Sequence, residues 1–268
     1  MDEQPYLGSG LGIVELVDTE FESDLKAVLV ALRHGNIGEA HRQVEAIIKQ
    51  NPKRAGAYYY RAHIWIAQKR PRRAMDDCNR AIIFNPNFVD AYTLRGMLWL
   101  TSARHQLALN DFNKAIEINP NSSSGYLGRG MALYQKGAYQ RQIHSFSGVV
   151  DNRYGWEEFQ NALADFNHAL EMNLQDKKQQ LATAHWGIAF VYLAIGQFDQ
   201  AILHANVTIS IMPNQDNLLR ERGNIYAKAG LYDQAIVDFE RALQLNPNNR
   251  ITKNYYRQVV NKKRNLGR

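Results

Sequence analysis

The 268 residues are 45% hydrophobic and 22% charged, a balance that excludes a chain too polar to build a core. The 18 glycines and 7 prolines carry no three-residue period, and the longest purely apolar run, Ile188 to Ile195, falls far short of the roughly 20 residues a membrane span needs, so collagen-like and membrane-spanning classes drop out. The formal net charge of +6 is local: Arg250 to Arg268 holds seven basic residues and no acid, leaving 25 basic against 26 acidic residues in positions 1–249.

At the N-terminus, Met1-Asp2-Glu3 has no basic leading region and the apolar stretch Leu11 to Val17 is interrupted by Glu15, so the segment does not read as a secretory signal and the expected location is cytoplasmic. Pro5 to Val17 is too apolar for a free tail and too rich in glycine for a firm helix. Occupying a groove of the fold and covering the first helix pair are its two readings. Cys78, the single cysteine, closes no internal disulfide and falls where a helix packs, which makes it structural.

Beyond residue 20 the chain repeats. Pro52, Pro86 and Pro120 lie 34 residues apart, Pro213 and Pro247 again lie 34 apart, and each is preceded twelve positions earlier by an alanine: Ala40, Ala74, Ala108, Ala201 and Ala235. Within each period, apolar residues recur at helical spacing in two blocks around a short polar turn, so each period predicts a helix pair. Small residues (Ala62 with Ala74, Gly96 with Ala108, Ala189 with Ala201, Gly223 with Ala235) stand where two helix axes approach, and proline ends the second helix by removing a backbone donor. The 93-residue gap between Pro120 and Pro213 holds one further period with inserted residues.

This pattern resembles the tetratricopeptide repeat family. In the last unit Leu219, Gly223, Tyr226, Ala235, Phe239, Ala242 and Pro247 fill the family's small, aromatic, alanine and proline positions. The resemblance implies an all-α fold, a right-handed superhelical solenoid of six helix pairs, with units at 21–54, 55–88, 89–122, 123–176, 182–215 and 216–249. Residues 1–20 form a separate apolar segment, and 250–268 a basic capping helix and tail that closes the last pair through Ile251, Tyr255, Val259 and Val260. The fourth unit carries an insertion near 140–159. There, Tyr139 to Val150 is read as a helix of its own, with Ile143, Phe146 and Val150 on one face, in preference to a loop standing off the solenoid. Leu174 replaces the proline expected at the end of that unit, and five extra residues, Lys177 to Leu181, precede the next.

No two histidines lie closer than seven residues, and no phosphate-binding lysine loop, dinucleotide fingerprint or nucleophile elbow occurs, so no catalytic residue, metal ligand set or cofactor is assigned and the reading is non-enzymatic. The resemblance instead directs attention to the concave face lined by the first helices, where ligands of this family bind. Positions 2, 5, 9 and 12 of the units project onto it Tyr59, His63, Ile66, Met97, Leu100, Leu127, Met131, Trp186, Phe190 and Leu193, with Leu25, Leu29 and Leu32 from the first unit. The lysine, asparagine and arginine positions that hold acidic chaperone tails in other members are here Tyr59, His63, Thr93 and Met97, with Arg220 and Asn224 as a remnant. An apolar groove suits a peptide or an amphipathic helix of a partner protein, as an adaptor or chaperone-like module would bind. Self-association stays open. The basic residues Arg250, Lys253, Arg257, Lys262, Lys263 and Arg264 supply the alternative, association with nucleic acid or an anionic membrane surface.

Overall fold

The computed structural model describes residues 23–146, 153–172, 174 and 177–266; the N-terminal apolar segment, residues 1–20, and Val149 and Val150 of the insertion lie outside them. Among the described residues the fold is all-α. The chain divides into two compact units, Met1–Ala132 and Leu133–Arg268. In the first, α1 (Ser23–Arg33) pairs with α2 (Ile37–Gln50), α3 (Ala55–Ala67) with α4 (Pro71–Phe84), and α5 (Val89–Thr101) with α6 (His105–Ile118), and α7 (Ser123–Phe146) begins. In the second, α8 (Trp156–Glu171) packs on α9 (Lys178–Ala194), which pairs with α10 (Phe198–Ile211). There too α11 (Asp216–Lys228) pairs with α12 (Tyr232–Leu245), and α13 (Arg250–Leu266) closes on α12.

The turn inside each pair has one recurring requirement. Gly35, Lys69, Ala103, Gly196 and Gly230, equivalent in the 34-residue period, all sit at positive φ, between 53° and 81°. Each is the left-handed residue that ends a first helix, and the amide after it reaches five residues back: Arg70 to Trp65 O at 2.8 Å, Arg104 to Trp99 O at 2.9 Å, Leu231 to Tyr226 O at 2.9 Å. The second helices stop differently. Asn51, Asn85, Asn119 and Asn246 precede proline and adopt extended or near-extended backbone, with ψ between 81° and 97°, because the proline ring excludes the α region for the residue before it.

Gly137 stands at the equivalent position of the fourth unit and stays helical. The chain therefore runs on, and Tyr139 to Ile143 continue α7, a helix of 24 residues, where a separate helix was expected. The continuation is braced. Gly137 and Gly155 approach so closely that a Cβ on Gly155 would lie 2.4 Å from the Gly137 carbonyl oxygen. Arg141 Nε donates to Tyr154 O at 2.9 Å, its Nη1 donates to Ala194 O, and its guanidinium lies 4.7 Å from the centroid of Phe159.

The core follows the small-and-aromatic register. Ala40, Ala74, Ala108, Ala162, Ala201 and Ala235 are fully buried, as are Phe112, Phe166 and Phe239. Phe112 fills the space left by Gly96 and Gly128: a Cβ on Gly128 would come within 2.2 Å of its ring. Phe166 stands against Gly187 in the same way, at 2.3 Å.

A polar ladder runs beside this core. Arg61 is bidentate to Asp77 (2.7 and 2.8 Å) and also reaches Glu45 (2.8 Å). Arg95 repeats the arrangement with Asp111 (2.9 and 2.6 Å) and Asn79 (2.8 Å), and Arg222 with Asp238 (2.7 and 2.6 Å) and Asn206 (3.0 Å). In every case the partners lie 16 residues before and after the arginine, so one guanidinium ties its own second helix to the preceding one. Forked geometry of this kind is specific to arginine.

Candidate protein-binding face

In the first unit, α3 presents Tyr59 and His63, one turn apart, with ring centroids 4.7 Å apart in edge-on contact. Tyr59 also lies 5.2 Å from Phe88, which precedes α5. Both α3 residues are buried, at 3% and 9% exposure. His63 Nε2 is enclosed without a hydrogen-bond partner. Burial lowers the His63 pKa to about 4 and raises that of the Tyr59 phenol, so both stay neutral at physiological pH. Thr93, the next polar group along this face, donates to Asp90 O at 2.9 Å. Leu100, Leu127 and Met131 are buried as well, whereas Ile66 and Met97 remain half-buried.

In the second unit, Phe190 stands between Tyr134 (5.6 Å, stacked) and Trp186 (5.0 Å, edge-on). Trp186 and Phe190 are buried, Leu193 half-buried. Tyr134 is pushed up to about 12 by burial, with the Glu221 carboxylate adding to the effect. Arg220 pairs with Glu221 at 2.9 Å beside Asn217 and Asn224, so the remnant of polar clamp residues is internally neutralised.

Seven of the ten groove residues are thus packed into the fold more deeply than an open apolar groove requires. The reason is size: a tyrosine, tryptophan or phenylalanine at these positions reaches neighbouring aromatic rings and forms part of the core. Ile66, Met97 and Leu193 are the members a ligand meets first. Cys78 is fully buried and its thiol pKa is raised by desolvation, as a packing residue's would be.

The basic residues are less uniform than their sequence clustering suggests. On α13, Lys263 pairs with Asp233 and Lys262 lies 5.6 Å over the Tyr232 ring, while Arg250, Arg257 and Arg264 are exposed and Lys253 is half-buried. At the start of α4, Arg70, which precedes the helix, and Arg73 in its first turn lie over Trp65 at 5.7 and 4.9 Å. Two features escaped sequence reasoning, the arginine ladder and the contact of His185 with His204 across α9 and α10. Arginine at 61, 95 and 222 with acids 16 residues later at 77, 111 and 238 was the available signal for the ladder.

Three family models, each describing a tetratricopeptide repeat, match residues 25–88, 89–122 and 217–249. Over these residues the chain consists of tetratricopeptide repeats. Among solved structures, the repeat fold is shared with a tetratricopeptide repeat protein from Parabacteroides merdae (TM-score 0.64, 20% identity, 87% of this chain and 81% of that one). It is shared also with a thermophilic tetratricopeptide repeat protein of Thermus thermophilus (0.63, 17%, 77% and 98%) and with PilW, a type IV pilus biogenesis factor (0.67, 18%, 88% and 96%). A curated relative, anaphase-promoting complex subunit 3 of Schizosaccharomyces pombe, is 30% identical over 89 residues, 33% of this chain and 13% of its own length, so the match spans a small part of that protein. Tetratricopeptide repeats generally mediate protein–protein interactions, and the fold is typically a non-enzymatic scaffold. Among the described residues, no helix is long and apolar enough to cross a membrane.

Proposed function

We propose that this protein is a non-enzymatic adaptor or chaperone-like module, with tetratricopeptide repeats at 21–54, 55–88, 89–122, 123–176, 182–215 and 216–249, that binds an apolar peptide or amphipathic helix of a partner in the cytoplasm. The observation that carries this reading is the apolar, aromatic character of the first-helix face in each unit: Tyr59, His63, Ile66, Met97, Leu100, Leu127 and Met131 in one, Trp186, Phe190 and Leu193 in the other. Buried rings give such a face a rigid floor. The half-exposed Ile66, Met97 and Leu193 provide adaptable contact area, and methionine suits more than one ligand shape. The name of a curated relative over part of the chain, a subunit of the anaphase-promoting complex, points the same way.

The test is partner capture with the intact chain and with Ile66→Glu/Met97→Glu and Leu193→Glu variants, after far-UV circular dichroism shows that helix content is kept. These sites replace the fully packed positions, where a buried charge would unfold the chain. Loss of the same partner from a folded variant supports the reading; retention by both variants sinks it. A second reading rests on α13, where Arg250, Lys253, Arg257 and Arg264 fall on one side of a helix containing no acid. Binding that survives the groove variants but vanishes with salt or on deletion of 250–268 would favour polyanion association instead.

A further inference from the structure

The fifth helix pair lacks the arginine–aspartate ladder of the second, third and sixth repeats, and what stands in its place is chemically distinct. The arginine position occupied by Arg61, Arg95 and Arg222 is held by Ile188, fully packed at 1% exposure. The aspartate position of Asp77, Asp111 and Asp238 is held by His204, and the position of Tyr58 and Tyr92 by His185. The two histidines meet across α9 and α10, Nδ1 to Nδ1, at 3.0 Å, with ring centroids 5.2 Å apart. Where the second, third and sixth repeats place a fixed ion pair, this one places two imidazoles whose nitrogens converge.

We propose that His185 and His204 form a bidentate site for a divalent transition metal that accepts two ligands near a right angle, copper(II) or nickel(II). Metal–imidazole bonds of about 2.05 Å spanning this separation enclose an angle of about 94°. That matches adjacent positions of a tetragonal or square-planar centre, whereas tetrahedral zinc would need the nitrogens about 3.3 Å apart. Without metal, one Nδ1–H donates to the other Nδ1 and the pair is an ordinary hydrogen bond. When metal binds, that proton is lost from Nδ1 to solvent and the same ring takes one up at Nε2, so both Nδ1 lone pairs face the ion and each imidazole stays neutral. No net proton is released. Half-burial disfavours the charged form of both rings and His185 disfavours it further in His204, which keeps the pair ready to ligate at neutral pH. Tyr192, with its ring 5.9 Å from that of His204, flanks the site, and the remaining coordination positions fall to water. Among the described residues no group of three or more histidine, cysteine or acidic side chains could hold a metal, so the pair stands as an open two-ligand clamp.

A clamp joining α9 to α10 stabilises the fifth pair without touching the first-helix face, so this inference is independent of the groove reading. The test titrates the full chain with copper(II) chloride or nickel(II) chloride, following heat and thermal unfolding, and records electron paramagnetic resonance of the copper form. Expected are a saturable site of one ion per chain, a raised unfolding temperature and coupling of copper to two nitrogen donors, with zinc bound more weakly. His185→Asn and His204→Asn should each weaken the site at least tenfold. Unchanged affinity in the double variant, or a native-chain copper spectrum lacking two-nitrogen coupling, would overturn the proposal; the second readout holds even where a variant folds poorly.

Discussion

Removing one partner from the arginine ladder measures what holds a repeat together. In Asp77→Ala, Arg61 loses both carboxylate bonds, 2.7 and 2.8 Å, while its side chain stays 10% exposed, and the Trp65 indole N–H loses its acceptor at 2.8 Å. Breaking a buried ion pair from one side costs about 3–5 kcal/mol, because the remaining charge stays desolvated. Glu45, 44% exposed, remains at 2.8 Å and keeps the loss toward the lower end. A chain of this size shifts its midpoint by about 2–4 °C per kcal/mol, so a fall of roughly 6–15 °C is expected. The assay is urea and thermal unfolding by far-UV circular dichroism, with Glu117→Ala as control, since the exposed Lys114–Glu117 pair contributes about 0–1 kcal/mol. Replacing both partners with apolar residues, Arg61→Met/Asp77→Leu, should recover most of the loss. If Asp77→Ala costs less than about 1 kcal/mol, or the double variant is no better than the single one, the ladder does not stabilise the fold as argued.

Two further predictions concern single positions. His63 has its folded pKa lowered from the usual 6.5 to about 4, so between these values the unfolded chain binds the proton that the folded chain excludes. Stability should be intact above pH 6.5 and fall as pH drops toward 4, by about 3 kcal/mol from this group, a slope that His63→Leu should remove in pH-dependent urea titrations. Ala103 and Lys69 hold φ at 53° and 58°, a left-handed backbone costing a residue with a Cβ about 1–2 kcal/mol. Ala103→Gly and Lys69→Gly should therefore stabilise by roughly 0.5–1 kcal/mol each after the extra entropy of glycine, and a lower urea midpoint in either would contradict the turn argument.

The helix pairs were legible in the sequence because the period is written in residues with few substitutes. Alanine and glycine mark where helices touch, and proline marks where they stop. Burial of the groove side chains was not legible, because helical projection assigns a direction and says nothing of how far a ring reaches. Tyr59 extends to Phe88 and Phe190 to Tyr134, contacts set by neighbouring helices whose approach the projection ignores. The continuation of α7 was hidden for a related reason: Gly137 occupies the turn position of the repeat, and only its packing against Gly155 shows that it does not turn. His185 and His204 stand 19 residues apart and become neighbours only once α9 and α10 are antiparallel.

The joint between α8 and α9 brings these threads together. At α3, α5 and α11 an arginine reaches back 16 residues to the preceding second helix, and at α7 an aromatic ring entering beside a glycine adds a second fastening. Phe112 beside Gly128 with Arg129 to Asn113 at 3.0 Å is the full arrangement. At α9 the arginine is Ile188, so the back-reaching bond is gone, and Phe166 against Gly187 is the remaining fastener of this kind. A methyl group at Gly187 would lie 2.3 Å from that ring. Gly187→Ala should force Phe166 aside at about 1–3 kcal/mol, offset by roughly 1 kcal/mol of helix propensity. Gly128→Ala faces a similar clash at 2.2 Å but keeps Arg129 as a second tie. Because repeat folds are coupled through nearest-neighbour interfaces, weakening the singly fastened joint should also lower cooperativity. Urea unfolding of Gly187→Ala should then show a smaller m-value or two transitions, while Gly128→Ala keeps one. Equal midpoints and equal slopes in the two variants would show that the missing arginine leaves the joint no weaker than its neighbours.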